Sequence, residues 1–489
     1  MALTVLHLEE AARRQQTASL PDAGEYGTLY SAIEGGLSSL GVAAARRAAM
    51  LAIFPEDTNV PVAVVAQLWS AASSGGASVG GSAGGDACAC VSVTGVSCSV
   101  SSPSTWSSDD GEPDVHAEVA ALEASQLIDV DHKQGQSGQS RSLSLIDLHR
   151  DYLRVRSKNE LAGWHCALLR GCGRRRVGVV GDAGDETDAY WGDGKRWVYH
   201  VCEGGAAAVS VVEPFLVELH LCAKALGPTE GSAIARVVEG STALRSIDIG
   251  FNNFDQPIAM AVARAAKRHG TATSIGLASC KIEARGATEL ALYVKTSAVL
   301  ASLNLEHNII EVEGVVAIAD ALARNRGLTH LNLDSIDKSG DDVDDMRGIV
   351  AIAAALEVNT TLTSLSLGAN HIHAEAAKAL ARALALNRTL RILDLASNRL
   401  CGVWWQGTRQ MGSYDVSGLQ ALARAVASGG VLDSLCLRSN ELGGGGARAI
   451  ADMMGGGAVL TRCDLRSNGL EAEAKQMLRD AAKGCKLEL

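Results

Sequence analysis

The stretch Leu300–Ala323, LASLNLEHNIIEVEGVVAIADALA, decides the fold. Leu303 and Leu305 alternate as the inward residues of a short strand do, with Leu300 leading into it. Asn308 stands where the strand must turn, and Ile310 and Gly314 follow. Val316, Ile318, Ala319 and Leu322 then fall at helical spacing. One strand, one turn and one helix fit into a single short segment.

The same template begins at Leu216, Leu244, Ala272, Leu300, Leu328, Leu362, Leu390, Leu432 and Leu460. Successive starts differ by 28, 28, 28, 28, 34, 28, 42 and 28 residues, so two insertions, of 6 and 14 residues, account for every departure from a period of 28. Asn252, Asn308, Asn370, Asn398, Asn440 and Asn468 occupy the turn after the strand, where a carboxamide can both donate to and accept from bent backbone. Cys280 fills that slot in the third repeat. Lys224 and Ile336 fill it in the first and fifth, where the turn is expected to be less tightly bonded. Gly286, Gly314, Gly348, Gly418 and Gly446 are read as preceding the helices. Within a strand, Leu365 is expected in the core and Ser366 on the open side, where its replacement by Ala would be nearly silent.

These nine repeats, residues 216–489, resemble the ribonuclease-inhibitor type of leucine-rich repeat. The resemblance implies an α/β horseshoe, with parallel strands inside and helices outside, whose stability is a sum of neighbouring interfaces.

Composition agrees with many small, similar elements: 47% of the 489 residues are hydrophobic, only 4% are aromatic, and 8 prolines stand against 52 glycines. The formal charge of -11 argues against a general nucleic-acid or anionic-membrane binder. The best apolar run, Ala48–Trp69, is cut by Glu56-Asp57-Thr58-Asn59, so no transmembrane span is expected. No secretory signal is read at the N-terminus, and the 12 scattered cysteines suit free thiols in a cytoplasmic protein.

Residues 71–114 are Gly/Ser/Ala-rich and are expected to be disordered. Around them, Leu29–Leu40 reads as a helix, an apolar helix ends at Leu68-Trp69, and Val115–Ser125 reads as a third helix. Leu127–Val130 and Leu143–Leu145 read as strands joined by a polar turn, His132–Arg141. Helices followed by a hairpin is the order of a winged helix. LAIFPEDTNVPVAVVAQLW, residues 51–69, resembles the winged-helix entry of NB-ARC proteins, the nucleotide switches of plant resistance proteins and apoptotic protease-activating factors. In that family the hairpin leads to a Met-or-Leu, His, Asp motif; here Leu145-Ile146-Asp147 stands in its place, with Ile146 where the family's phosphate-contacting His would be. Leu161–Cys172, Tyr190-Trp191 and Trp197–His200 resemble the helical segment that follows. The resulting division is an N-terminal helix remnant (1–25), a mainly α winged-helix domain (26–157), a helical linker (158–210) and the repeats.

No phosphate-cradling G-x-x-x-x-G-K-[ST] loop occurs; Gly192-Asp193-Gly194-Lys195 is followed by Arg196. No enzyme and no cofactor are therefore expected. Cys88, Cys90 and Cys98 lack the spacing of a zinc site, and Asp341, Asp342, Asp344 and Asp345 lack that of an EF-hand. His371 with His373, Cys166 beside His165, His149 with Asp151, and Arg174-Arg175-Arg176 read as surface or packing residues. The longer insertion is more informative. It carries Trp404, Trp405 and Tyr414, residue types that anchor protein interfaces. One step past the strand, Glu306 and Asp334 predict an acidic patch and Arg438 and Arg466 a basic patch on the concave wall. The expected function is recognition of a protein partner, as a part of an NB-ARC- or NOD-like-receptor-type protein. A Ran-type activator acting on a small GTPase and a structural scaffold, such as a ciliary repeat subunit, remain alternatives.

Overall fold

The computed structural model describes residues 27–55, 58–74, 115–125, 127–135, 138–145, 150, 153–154, 156–172, 176–178, 190–192, 194–254, 256–336, 345–429, 431–482 and 484–489. The expectations placed on residues 1–25, Cys88, Cys90, Cys98, Asp341, Asp342, Asp344, Ile146, Asp147 and His149, and on most of 71–114, lie outside these residues. The chain divides into two compact units: Met1–Arg174 with Val180–Gly192 and Arg196–Val212, and Arg175–Val179 with Asp193–Lys195 and Glu213–Leu489.

The first unit is mainly helical. Helices Gly27–Ser39, Val42–Met50, Val62–Ser74 and Val115–Ala124 precede a hairpin, and helices Leu161–Cys172 and Lys195–Val212 follow it. The hairpin arms run Ile128–Gly135 and Gly138–Leu145, longer than the expected strands, because pairing continues through His132↔Arg141 to Gly135↔Gly138. Val60–Pro61 adds to the second arm antiparallel, through Val60↔Leu143. Residues 158–210, read from the sequence as a linker, fall mostly in this unit. Its core holds Trp69, Tyr190, Trp191 and Trp197, all buried. His165 and His200 are buried with them, their Nδ1 atoms 2.8 Å apart, and His200 Nε2 lies 3.1 Å from the Tyr190 hydroxyl. Burial drives His165 down to about 3 and His200 in the same direction, because an apolar surround disfavours the charged ring. Burial likewise raises the Cys166 thiol, which is buried in the same core.

The second unit is built on one parallel sheet of 11 strands. Nine are the repeat strands, in sequence order; Arg176–Val177 extends one edge and Lys486–Glu488 the other. Register is strict: Leu303 pairs with Ile275 on one side and Leu331 on the other. Each of the nine repeat strands is followed by a helix, from Pro228–Gly240 to Ala472–Ala481, and successive helices pack on one another. Strands about 4.8 Å apart, fastened to helices about 10 Å apart, bend the sheet toward its open face.

Leu300, Leu303, Leu305 and Ile310 are buried, as are the counterparts of the first three in every repeat and of Ile310 in most; Leu470, the ninth repeat's counterpart of Ile310, is only half-buried. In the helix Glu311–Arg324 the inward stripe starts at Val315; Val316 is only half-buried. The repeat glycines sit in the first turn of each helix and not before it. Close approach explains them: a Cβ on Gly314 would stand 2.9 Å from Ala287 Cβ, and one on Gly418 would stand 2.6 Å from Ala374 Cα.

The turn Asn does more than brace its own bend. Asn308 Oδ1 accepts the N–H groups of Cys280 and Ile282, and its Nδ2 donates to Leu277 and Leu305 carbonyls, so one side chain sews two repeats together. Asn252 and Asn398 make the same cross-repeat pattern, and Asn468 makes it with one accepted N–H, that of Asn440. The residue before the slot lies in the left-handed region in every repeat, from Ala223 to Ser467, with φ between 52° and 59°, and none is glycine. That conformation costs roughly 1 kcal/mol or more per residue, and the Asn bonds offset it. The slots without Asn are not loose from their own side: Lys224 N and Ile336 N are held by Asn252 and Asn370 of the next repeat. What Ile336 lacks is the return bond to the repeat before it, where Ile310 N–H donates to its main-chain carbonyl instead.

Candidate functional site

The sheet's inner face offers three side chains per repeat, two from the strand and one just past it. The last strand position caps the backbone behind it. Asp248, Asn304, Asn332, Asp394 and Asp464 each accept the N–H two residues on, at 2.8–3.2 Å. The carboxylates of Asp248 and Asp394 thus join Glu306 and Asp334 on this face, an enlargement that the sequence reading did not include.

Glu306 accepts from Asn332 Nδ2 at 2.7 Å. Asp334 accepts from Ser366 Oγ at 2.6 Å and from Gly368 N at 2.5 Å. Burial raises its carboxyl above the ordinary range; those two bonds oppose the rise, and the charges of Asp394 and Glu306 add to it. Ser366 is therefore half-buried and bonded, not idle.

At the C-terminal end the expected basic patch is divided. Arg466 is tied to Asp464 at 2.6 Å and to Glu488 at 3.1 Å, and Arg462 to Glu488 at 2.9 Å. The Arg466 bonds hold Asp464 below the usual carboxylate range. Arg438 is exposed and has no ion pair among the described residues. Cys436, beside it in the chain, is pushed up to about 12, first by burial and then by Asp394 and Asp464, and stays a thiol.

The longer insertion folds as a hairpin, Val403–Gln406 paired with Arg409–Gly412. Its two tryptophans have different surroundings. Trp404 lies under the Arg399 guanidinium, 4.2 Å from the ring centroid, and so close to Gly412 that a Cβ there would meet the ring at 2.6 Å. Trp405 is 54% exposed. Tyr414, 49% exposed, nevertheless uses its hydroxyl to latch the hairpin to the next repeat, donating to Leu442 O at 2.6 Å and accepting from Gly446 N at 3.0 Å.

A second Asn row escaped the sequence reading. Asn325, Asn359 and Asn387 end their helices; Asn387 Nδ2 donates to Leu356 and Asn359 carbonyls, while its Oδ1 accepts from Leu390 N. Each stands three residues before a repeat-starting Leu, a spacing visible in the sequence. Of the other candidates, Asp345 accepts from Arg347 and His165 lies in the first unit's core. Among the described residues no group of three or more His, Cys, Asp or Glu is placed to hold a metal ion, and no helix is long and apolar enough to cross a membrane.

Residues 296–319, 358–381 and 386–400, in the fourth, sixth and seventh repeats, match the family model described as Leucine Rich repeat. A search of curated proteins gave no match. Among solved structures, the chain is similar to leiomodin-1 actin-binding site 2, at 19% identity over 36% of this chain and 88% of that one, with a TM-score of 0.27. It is similar too to the tropomodulin C-terminal domain of Caenorhabditis elegans, at 16% identity over 36% of this chain and 92% of that one, TM-score 0.27. The second unit is thus built of leucine-rich repeats of the ribonuclease-inhibitor type on a parallel sheet.

Proposed function

We propose that the repeat unit is a non-catalytic recognition module that takes a protein partner on its inner sheet face and on the hairpin rim of the seventh repeat. The observation that carries this is Trp405. It is a large aromatic half in water on a hairpin that Tyr414 and Trp404 hold rigid, and a preorganised exposed Trp loses little freedom on binding. Panning a random dodecapeptide display library on the full chain tests it. Recovery is expected to fall for Trp405→Ala with the melting temperature unchanged. Equal recovery by wild type and Trp405→Ala would remove the support.

A finer reading, a winged-helix arm of an NB-ARC-type switch, is supported by one feature of the first unit: Val60–Pro61 lies between two helices in sequence yet pairs with the second arm of the later hairpin, in sheet order first, third, second. Co-purification of the full chain with a separately expressed NB-ARC nucleotide domain tests it; no association at micromolar concentration would count against it.

A further inference from the structure

Four adjacent strands carry a change of charge sign over a shallow floor. Two residues past the ends of the strands of the fifth to eighth repeats (Asn332, Ser366, Asp394 and Cys436) stand Asp334, Gly368, Ala396 and Arg438. They are neighbours in that order because Ser335 N donates to Gly368 O, Ala369 N to Ala396 O, and Ser397 N to Arg438 O. Asp334 and Arg438 are thus three strand spacings apart, about 14 Å, with nothing larger than a methyl group between them in that row. Asp394 adds a second carboxylate on the seventh strand, and Ile392 at the start of that strand is 45% exposed on the same face. The hairpin bearing Trp405 leaves the chain directly after the turn of this seventh repeat, at Gly402, and Asp415 N bonds back to Cys401 O on its return.

The charges differ in how the fold treats them. Where the ninth and last strands carry Asp464 and Glu488, Arg462 and Arg466 neutralise them. Asp334 and Asp394 have no Lys or Arg ion pair among the described residues, and neither has Arg438 an acidic one. Opposite charges 14 Å apart on one face neither satisfy nor screen one another well, whereas a ligand with the inverse pattern meets both.

We propose that the fifth to eighth repeats bind an extended protein segment laid across the strands, with a Lys or Arg against Asp334, a carboxylate against Arg438, and the segment's intervening residues over the low floor of Gly368 and Ala396. The proposal rests on the recognition reading above and adds the ligand's charge order and direction. An extended chain advances about 3.3 Å per residue, so the basic and acidic residues stand about four apart.

The same dodecapeptide panning, done on the full chain and on Arg438→Glu and Asp334→Asn, tests it. Wild type is expected to enrich peptides with Lys or Arg about four residues from Asp or Glu. Arg438→Glu is expected to lose the acidic residue from the enriched set and to bind the wild-type peptides about tenfold more weakly. Asp334→Asn keeps the acceptor for Ser366 and Gly368, so it should fold normally and relax only the basic position. Peptides without the charge pair, peptides indifferent to Arg438→Glu, or no enrichment would each overturn the proposal. Peptides that need Trp405 but ignore Arg438 overturn it while leaving the recognition reading in place; peptides indifferent to both overturn both.

Discussion

The Asn308 carboxamide reaches back across a repeat boundary to take the Cys280 amide at 3.0 Å, 28 residues earlier in the chain. The same group holds Ile282 N at 2.9 Å and gives a hydrogen to Leu277 O at 2.9 Å. A buried amide or carbonyl without a partner costs about 1–3 kcal/mol, so one side chain settles three such debts at the point where two repeats must stay in register.

Asn308→Ala leaves those groups unmatched and is expected to destabilise the repeat unit by about 3 kcal/mol or more. Urea unfolding followed by far-UV circular dichroism measures this. Hydrogen exchange should accelerate first at Cys280 and Ile282, on the neighbouring repeat. Loss confined to residues after 308 would contradict the cross-repeat role.

Leu365→Ala removes a fully buried side chain between Leu331 and Leu393 and should cost about 2–5 kcal/mol. Ser366→Ala, one position on, loses its bond to Asp334 and should cost about 1 kcal/mol. Denaturation midpoints for the pair check the order; equal shifts would mean the register is wrong.

Asp334→Asn keeps an acceptor oxygen while removing the charge. Because the native carboxyl is raised above its unfolded value, its contribution is most favourable in acid and is lost as pH rises through the folded value. The variant is expected to melt higher than wild type at pH 7, and the gap should close as pH falls toward the ordinary Asp range near 3.9. A gap that widens in acid would have the wrong sign.

Tyr414→Phe cuts both latch bonds while leaving the ring. The expected result is a local loss of about 1–2 kcal/mol, seen as faster exchange in residues 403–412 with little change in global melting.

The first unit should be acid-labile. His165, held near 3, must take a proton on unfolding at any pH between that value and its ordinary 6.5. Stability is therefore intact above 6.5 and falls by about 1.4 kcal/mol per pH unit, for each such imidazole, as pH drops through that window. Unfolding monitored by the fluorescence of Trp69, Trp191 and Trp197 measures the slope; a flat profile between pH 6.5 and 4 would refute it.

Much of the repeat unit was legible in the chain itself. A leucine ladder of fixed period leaves one way to bury Leu303, Leu331 and Leu365 together, so strand order and register follow from spacing alone. The finer helix register did not follow: Val315 and Val316 are equally apolar, and only the approach of the neighbouring helix selects Val315. The edge strands Arg176–Val177 and Lys486–Glu488 lack the template, since an edge needs only one neighbour to pair with.

At the candidate site the residue types were readable and their states were not. Trp404 and Trp405 are identical letters, yet Arg399 and Gly412 enclose one and leave the other in water. Arg438 and Arg466 hold the same place in successive repeats, but only Arg466 forms ion pairs, with Asp464 and Glu488, while Arg438 acts on Asp464 only through its charge. Periodicity is a property of the chain and fixes which residues go inside. Which charges meet, and which aromatic ring stays bare, depends on side chains brought side by side from different repeats, and that only the folded stack decides.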